Sequence, residues 1–150
     1  MGSVRAGRKG MLLRPALLAL LALALLPAGA MAAAQVGTSS SRYGTILVDG
    51  RGHTLYGVTK DGRGPSKCYG SCAKAWPPFY ANGTPTAIGG AQARYLGTTR
   101  RRGGRRQVTY RGRPLYFYVG EREAGQILCQ DVYEFGGFWR ILRSNGALVS

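Results

Sequence analysis

Short runs of apolar and β-branched residues alternate with glycine-containing turns along most of this 150-residue chain. The run "ILV" at 46–48 is followed by the turn "DGRG" and then by a second run, "HTLYGV", at 53–58. Similar runs, separated by turns such as Asn145-Gly146, fill the C-terminal part of the chain. Because turns of this kind connect antiparallel strands, the pattern predicts an all-β fold, a small antiparallel hairpin-based sandwich or barrel.

One short segment departs from this pattern. The stretch "CAKAW" at 72–76 predicts one or two helical turns, which the following Pro77-Pro78 would end. Large apolar side chains in the runs and in this segment are the expected core. They are Leu55, Trp76, Leu115, Phe117 and Trp139.

The chain contains an internal repeat. The segments "GHTLYGVTKD" at 52–61 and "GRPLYFYVGE" at 112–121 align at a glycine, a leucine, a tyrosine and a terminal acid. Alternation of side chains along a strand places Tyr116 and Tyr118 on one face of the second copy, with Leu115 on the other face. We therefore expect the β domain to be built on this repeat.

The N-terminus has the organisation of a secretory signal. Residues 1–34 combine a basic start, the apolar run "ALLALLALALL" at 16–26 and small residues suited to cleavage. We expect 1–34 to be a signal peptide, 35–42 a flexible lead-in and 43–150 the β domain. The predicted cleavage region has no cysteine for a lipid anchor, and the mature chain has no predicted transmembrane segment. A secreted or extracytoplasmic location in the cell envelope is therefore expected.

Basic residues dominate the charge, with 21 Lys and Arg against 6 Asp and Glu. The densest cluster is "RRRGGRR", which is predicted to lie at a hairpin turn and consists of Arg100, Arg101, Arg102, Arg105 and Arg106. Arginine binds phosphate well, so the cluster indicates lipid head groups or anionic envelope polymers as partners. Export argues against nucleic acid, and the alternative is a solvated turn without function.

These features together resemble a known family. In the bacterial secreted-repeat family, predicted lipoproteins of unknown function, a tyrosine is followed by an aromatic residue and then by an aspartate. The corresponding residues here are Tyr56 and Asp61 in the first copy, and Tyr116, Tyr118 and Glu121 in the second. The resemblance implies an exported envelope domain without an established activity. Cys129 and "DVYEFGGFW" at 131–139 depart from the family pattern.

Three cysteines suggest two kinds of chemistry. A disulfide is the default state of cysteines in an exported protein. Helical spacing would place Cys68 and Cys72 on one face, close enough to pair. Loop-closure entropy instead favours a longer bridge from one of them to Cys129. The family resemblance implies the pair Cys68–Cys72. The alternative is a copper or zinc site, or a redox site, formed by Cys68, Cys72 and His53, because thiolates and imidazole suit those ions.

The tyrosines and acids of the repeat predict a structural device. In each copy the tyrosine hydroxyl would donate a hydrogen bond to the acid of the same copy, Tyr56 to Asp61 and Tyr116 to Glu121. The alternative is a pair of ligand sites in which a sugar stacks on the tyrosine ring. The chain has one histidine and scattered acids, so no catalytic arrangement is evident. The sequence predicts a non-catalytic envelope module.

Overall fold

The computed structural model describes residues 1–3, 7, 10 and 32–150. The predicted signal segment therefore lies outside the described residues, apart from a few positions at its two ends. Residues 32–150 contain nine strands and one α-helix. In chain order they are β1 (Gln35–Ser41), β2 (Gly44–Asp49), β3 (Tyr56–Val58), α1 (Ser71–Ala75), β4 (Thr86–Ala87), β5 (Leu96–Arg100), β6 (Arg106–Tyr110), β7 (Arg113–Pro114), β8 (Val132–Glu134) and β9 (Gly137–Ile141).

The strands form three small sheets, with the orders β2-β1-β4, β3-β9-β8 and β5-β6-β7. All pairings are antiparallel except that between β1 and β4. Among the described residues no sheet closes into a barrel, so the sandwich-like form of the all-β prediction is the correct one. The short helix α1 lies where the sequence predicted it.

The prediction of a flexible lead-in at 35–42 was wrong. Residues 35–41 form β1, which pairs with β2 from Val36↔Asp49 to Ser41↔Gly44. Val36 is fully buried, whereas Ser39 and Ser40 are exposed. The serine-rich sequence has a weak strand pattern of its own, and β1 forms because β2 offers a free edge and the core has a place for Val36.

The predicted hairpin at 46–58 is present at its turn but does not continue as one sheet. The Asp49 amide donates to the His53 carbonyl at 2.8 Å, and the Asp49 carboxylate accepts from the Arg51 and His53 amides. After this turn the chain leaves β2, and β3 pairs with β9. The turn could be predicted from its own residues, but the strand that pairs with β3 lies more than 80 residues later in the chain, at Trp139 to Ile141.

Stacked aromatic rings form the centre of the core. Trp76 and Trp139 lie parallel, with ring centroids 4.1 Å apart and planes 5° apart. Both are fully buried, as are Leu55 and Leu115, which confirms four of the five core predictions. Phe117 is only half-buried, because it lies at the edge of the second core cluster, with its ring 5.0 Å from that of Phe79.

The place of β1 in the core can be tested by truncating Val36. Val36→Ala removes two buried methyl groups and should lower the free energy of unfolding by about 2 kcal/mol, measured by urea denaturation. Ser39→Ala, on the exposed side of the same strand, should change it by less than about 0.5 kcal/mol. Equal effects of the two substitutions would mean that β1 is not packed as described.

Candidate functional site

The two copies of the repeat meet at their tyrosines. Tyr56 and Tyr116 face each other in an antiparallel bridge, and each amide donates to the other carbonyl at 2.9 Å. Both side chains are fully buried. The Tyr56 ring packs edge-on against Trp76, at 5.3 Å between centroids, and the Tyr116 ring packs in the same way against Trp139, at 5.1 Å. The two copies of the repeat are therefore joined through this pair of tyrosines.

The acids of the repeat are exchanged between the copies. The Tyr56 hydroxyl donates to Glu121, and the Tyr116 hydroxyl donates to Asp61. The prediction that each tyrosine binds the acid of its own copy was therefore wrong in its partners, although the tyrosine–carboxylate bond itself is present. Because the copies run antiparallel at the bridge, the loop that follows one tyrosine reaches the hydroxyl of the other.

Each carboxylate also organises the loop in which it lies. Asp61 accepts from the Lys67 amide, six residues later, at 2.8 Å. Glu121 accepts from the Leu128 amide, seven residues later, also at 2.8 Å. Each carboxylate thus holds its own loop in place and binds that loop to the tyrosine of the other copy.

Burial sets the protonation of these groups. Desolvation raises the pKa of Asp61 and of Glu121 above the ordinary values of carboxyl groups, although the tyrosine hydrogen bonds act in the opposite direction. Desolvation and the facing carboxylates raise the pKa of Tyr56 and Tyr116 far above the ordinary phenol value. Both tyrosines therefore keep their protons at neutral pH and act as hydrogen-bond donors.

A buried polar network extends from Asp61 to the arginine cluster. The Tyr116 hydroxyl lies 2.6 Å from Ser66 Oγ, and Arg101 Nη1 donates to the same Ser66 oxygen at 2.6 Å. Arg101 also donates to Gln107 Oε1 at 2.8 Å and to the Cys68 carbonyl. Arg101 is only 5% exposed, so its prediction as an anion-binding residue was wrong. It is a structural residue that faces inward.

The other arginines of the cluster are exposed at the turn between β5 and β6, as the predicted hairpin required. We call them the arginine tip: Arg100, Arg102, Arg105 and Arg106. Arg100 and Arg106 are directly opposite each other across the strand pair. Among the described residues, the ion pairs are Arg51–Asp49, His53–Asp49 and Arg140–Asp131, so no carboxylate lies within 4.0 Å of the tip.

Two tyrosines lie beneath the arginine tip. The guanidinium carbon of Arg102 is 4.2 Å from the centre of the Tyr69 ring, and that of Arg105 is 3.3 Å from the centre of the Tyr80 ring. Arg106 donates to Thr98 at 2.6 Å and lines a cleft of about 580 Å³ beside β5. The tip is thus held against the domain by its neighbours.

The cysteine pair forms a disulfide. Cys68 and Cys72 are bonded, with their Cα atoms 5.3 Å apart, and both are buried. Cys68 precedes α1, and the chain turns at Gly70, which has a φ of 58°, to bring it to Cys72 on the helix. The pairing implied by the family resemblance is therefore confirmed, although the two residues do not lie on one helix face.

The disulfide argues against the copper or zinc alternative, because bonded sulfurs are not thiolate ligands. The redox alternative stays a prediction, since a disulfide is the oxidised state of a redox pair. His53 instead lies with its Nδ1 atom 3.5 Å from Asp49 Oδ2. No cluster of three metal-ligating side chains is found in the part of the chain that the structure describes. Cys129 is free and half-buried, and burial raises the pKa of its thiol.

Tyr118 has a different environment from the two central tyrosines. Its ring packs at a tilt on Trp76, with the centroids 4.9 Å apart. Tyr118 lines a cleft of about 340 Å³ together with His53 and Glu121. This third tyrosine of the repeat motif therefore contacts solvent and receives no carboxylate partner of the kind found for Tyr56 and Tyr116.

Residues 37–80 match the model of a family described as a secreted repeat of unknown function. The match confirms the resemblance over a segment that contains β2, β3, the first motif copy and the disulfide. The second copy at 112–121, the arginine tip and the β8–β9 hairpin lie beyond the matched residues. No curated protein and no solved structure matches the chain. Among the described residues, no helix has the length and apolarity needed to cross a membrane.

Several residues of the site were not predicted from the sequence. Ser66 connects Tyr116, and through it Asp61, to Arg101, and Gln107 accepts a second hydrogen bond from Arg101. Tyr69 and Tyr80 pack against other arginines of the hairpin. Side-chain alternation near the hairpin could have indicated that one arginine faces inward. No spacing rule could have indicated the two tyrosines, because they lie in other segments.

The exchange of acids between the copies can be tested with double-mutant cycles. Tyr56→Phe alone should lower the free energy of unfolding by roughly 1–3 kcal/mol, since it removes a donor from the half-buried carboxylate of Glu121. Tyr56→Phe and Glu121→Gln should couple by roughly 0.5–3 kcal/mol. Urea denaturation of the single and double variants gives both values.

The matched control is Tyr56→Phe combined with Asp61→Asn. These two residues would be partners if each copy bound its own acid, and in the exchanged arrangement their effects should add to within about 0.5 kcal/mol. Strong coupling of Tyr56 to Asp61, with none to Glu121, would refute the exchange.

A second prediction concerns pH. An acid whose pKa is raised by folding stabilises the folded state fully below its unfolded pKa, and this contribution is lost as pH rises toward the folded pKa. The stability of the wild type relative to Glu121→Gln should therefore decrease between about pH 3 and pH 7. Denaturation of both proteins at several pH values measures this difference, and the exposed Glu123→Gln serves as the control. A difference that grows with pH would contradict the raised pKa.

Proposed function

We propose that this chain is a non-catalytic secreted module of the cell envelope that binds phosphate-bearing anionic surfaces through its arginine tip. One observation carries the proposal. Arg100 and Arg106 face each other directly across β5 and β6, without a carboxylate partner among the described residues. A phosphate-bearing anion would place negative charge between the two guanidinium groups.

Like charges directly opposite each other destabilise a strand pair. Two phosphate oxygens, or neighbouring phosphates of a polymer or a lipid layer, would remove that repulsion. The planar guanidinium group favours phosphate over other anions because it donates two parallel hydrogen bonds. A phosphate-bearing partner would therefore offset the unfavourable pair, which supports the proposal.

The surroundings of the tip support a preorganised surface. Tyr69 and Tyr80 hold the guanidinium groups of Arg102 and Arg105 in place by cation–π contacts. Arg101 anchors the base of the hairpin to the network of Ser66 and Gln107. Less side-chain freedom is then lost on binding, which increases affinity.

The remaining polar groups support a non-catalytic module. The tyrosine–carboxylate pairs have their hydrogen bonds within the fold, and the cysteine pair is oxidised. The matched family is described as secreted, and phosphate outside the cytoplasm occurs in lipid head groups and in envelope polymers. Both sources share the chemistry that the tip would recognise.

Replacing the four residues of the arginine tip with serine tests the proposal. Binding to vesicles that contain phosphatidylglycerol, and to soluble polyphosphate, should weaken roughly 100-fold or more, since each basic residue near an anionic surface contributes about 1 kcal/mol. Binding of the wild type should also weaken as salt rises from about 0.05 to 0.5 M. Sedimentation with vesicles and titration calorimetry with polyphosphate measure the two affinities.

A charge-matched control replaces four exposed arginines elsewhere: Arg42, Arg51, Arg63 and Arg122. Arg101 is kept in every variant because its loss would disturb the fold. If the control loses as much affinity as the tip variant, general charge explains the binding and the proposal fails. Wild-type binding that does not weaken as the salt concentration rises would also refute the proposal.

A further inference from the structure

The β8–β9 hairpin presents exposed aromatic side chains at its end. Tyr133 is 63% exposed, Phe135 39% and Phe138 38%. Tyr133 and Phe138 are cross-strand partners, and their ring centroids are 5.1 Å apart. We call these three residues the aromatic tip. Exposed aromatic residues that cluster in this way mark interaction surfaces more often than scattered ones do.

The turn itself has an unusual residue. Glu134 pairs with Gly137, so Phe135 and Gly136 form a two-residue turn, with φ values of 52° and 83°. Both are in the left-handed region, where asparagine followed by glycine is preferred. A phenylalanine in that conformation is strained and exposed at the same time. Its presence is not explained by the stability of the fold.

The polar groups of the hairpin are already engaged. The Glu134 carboxylate accepts from Trp76 Nε1 at 3.0 Å, and the Asp131 carboxylate accepts from Arg140 Nε at 2.5 Å. A sugar-binding site needs polar groups that are available to sugar hydroxyls as well as aromatic faces. The aromatic tip therefore fits an apolar partner better than a carbohydrate.

Two lysines supply positive charge next to the aromatic tip. Lys60 Nζ donates to the Phe135 carbonyl at 3.0 Å, and Lys67 Nζ donates to the Lys60 carbonyl at 2.9 Å. Both residues are exposed, and neither belongs to an ion pair among the described residues. Aromatic residues beside lysines are typical of surfaces at the boundary between lipid head groups and acyl chains.

We propose that the aromatic tip inserts into the head-group region of an anionic phospholipid bilayer, with Lys60 and Lys67 against the lipid phosphates. The proposal rests on the proposed function in taking the partner to be anionic, and it selects the lipid over the polymer. The lysine charges near the anionic bilayer and the aromatic groups inserted into it would both contribute to binding. Either contribution alone gives only weak membrane binding.

Phe135→Asn is the main test variant. It should weaken binding to phosphatidylglycerol vesicles about tenfold, because it removes an inserted apolar group. It should leave polyphosphate binding unchanged. The urea midpoint should stay equal or rise, since asparagine suits the left-handed turn. Leu128→Asn, which removes an apolar residue 57% exposed outside the hairpin, is the matched control and should retain vesicle affinity.

Phe135→Trp gives a direct reading of insertion. On addition of vesicles with brominated acyl chains its emission should shift to the blue and be quenched, whereas the wild type, whose Trp76 and Trp139 are fully buried, should show no such change. Unquenched emission, or Phe135→Asn binding vesicles as the wild type does, would overturn the inference. So would binding of a neutral polysaccharide that is lost in Phe135→Asn.

The two proposals fail in distinguishable ways. If the arginine-tip variant keeps its polyphosphate and vesicle affinity, the proposed function fails, and quenching of Phe135→Trp still decides the insertion. If only the arginine-tip variant loses vesicle affinity, while Phe135→Asn keeps it, the proposed function stands and the insertion is refuted.

Discussion

The crossed hydrogen bonds between two tyrosines and two carboxylates hold the two copies of the repeat together. Each bond joins the tyrosine of one copy to the loop that follows the tyrosine of the other copy. Asp61 is buried and Glu121 is half-buried, so a carboxylate left without its donor costs more than the bond itself contributes, most of all at Asp61. The stacked Trp76 and Trp139 lie directly against the same tyrosines, which explains why the polar pairs and the aromatic core form one unit.

The surfaces proposed to bind are attached to this centre through the loop after the first copy. Asp61 lies in that loop and is linked through the Tyr116 hydroxyl and Ser66 to the buried Arg101, which supports the arginine tip. Lys60, on the same loop, contacts the turn of the β8–β9 hairpin. The disulfide between Cys68 and Cys72 closes the far end of the loop onto α1. A single segment therefore contacts both hairpins.

Prediction from the sequence succeeded where the signal was local. Turn chemistry predicted the all-β class and the arginine hairpin, Pro77-Pro78 marked the end of the short helix, and large apolar residues marked most of the core. It failed for β1, whose serine-rich sequence has only a weak strand pattern, and for Arg101, which faces a network contributed by distant residues. It also failed to assign the partners of Tyr56 and Tyr116, since both possible acids lie at equivalent positions in the two copies.

The sequence by itself determined the all-β class, most of the turns, the short helix and the two buried tryptophans, because backbone preferences and side-chain alternation act within a few residues. It also contained the tyrosine and acid of each repeat. Only the tertiary structure decided that the acids are exchanged, that one arginine of the cluster is buried and that β3 leaves its hairpin to pair with β9. These outcomes depend on which distant segments pack together, and that choice follows from burying the whole core at once rather than from any local pattern.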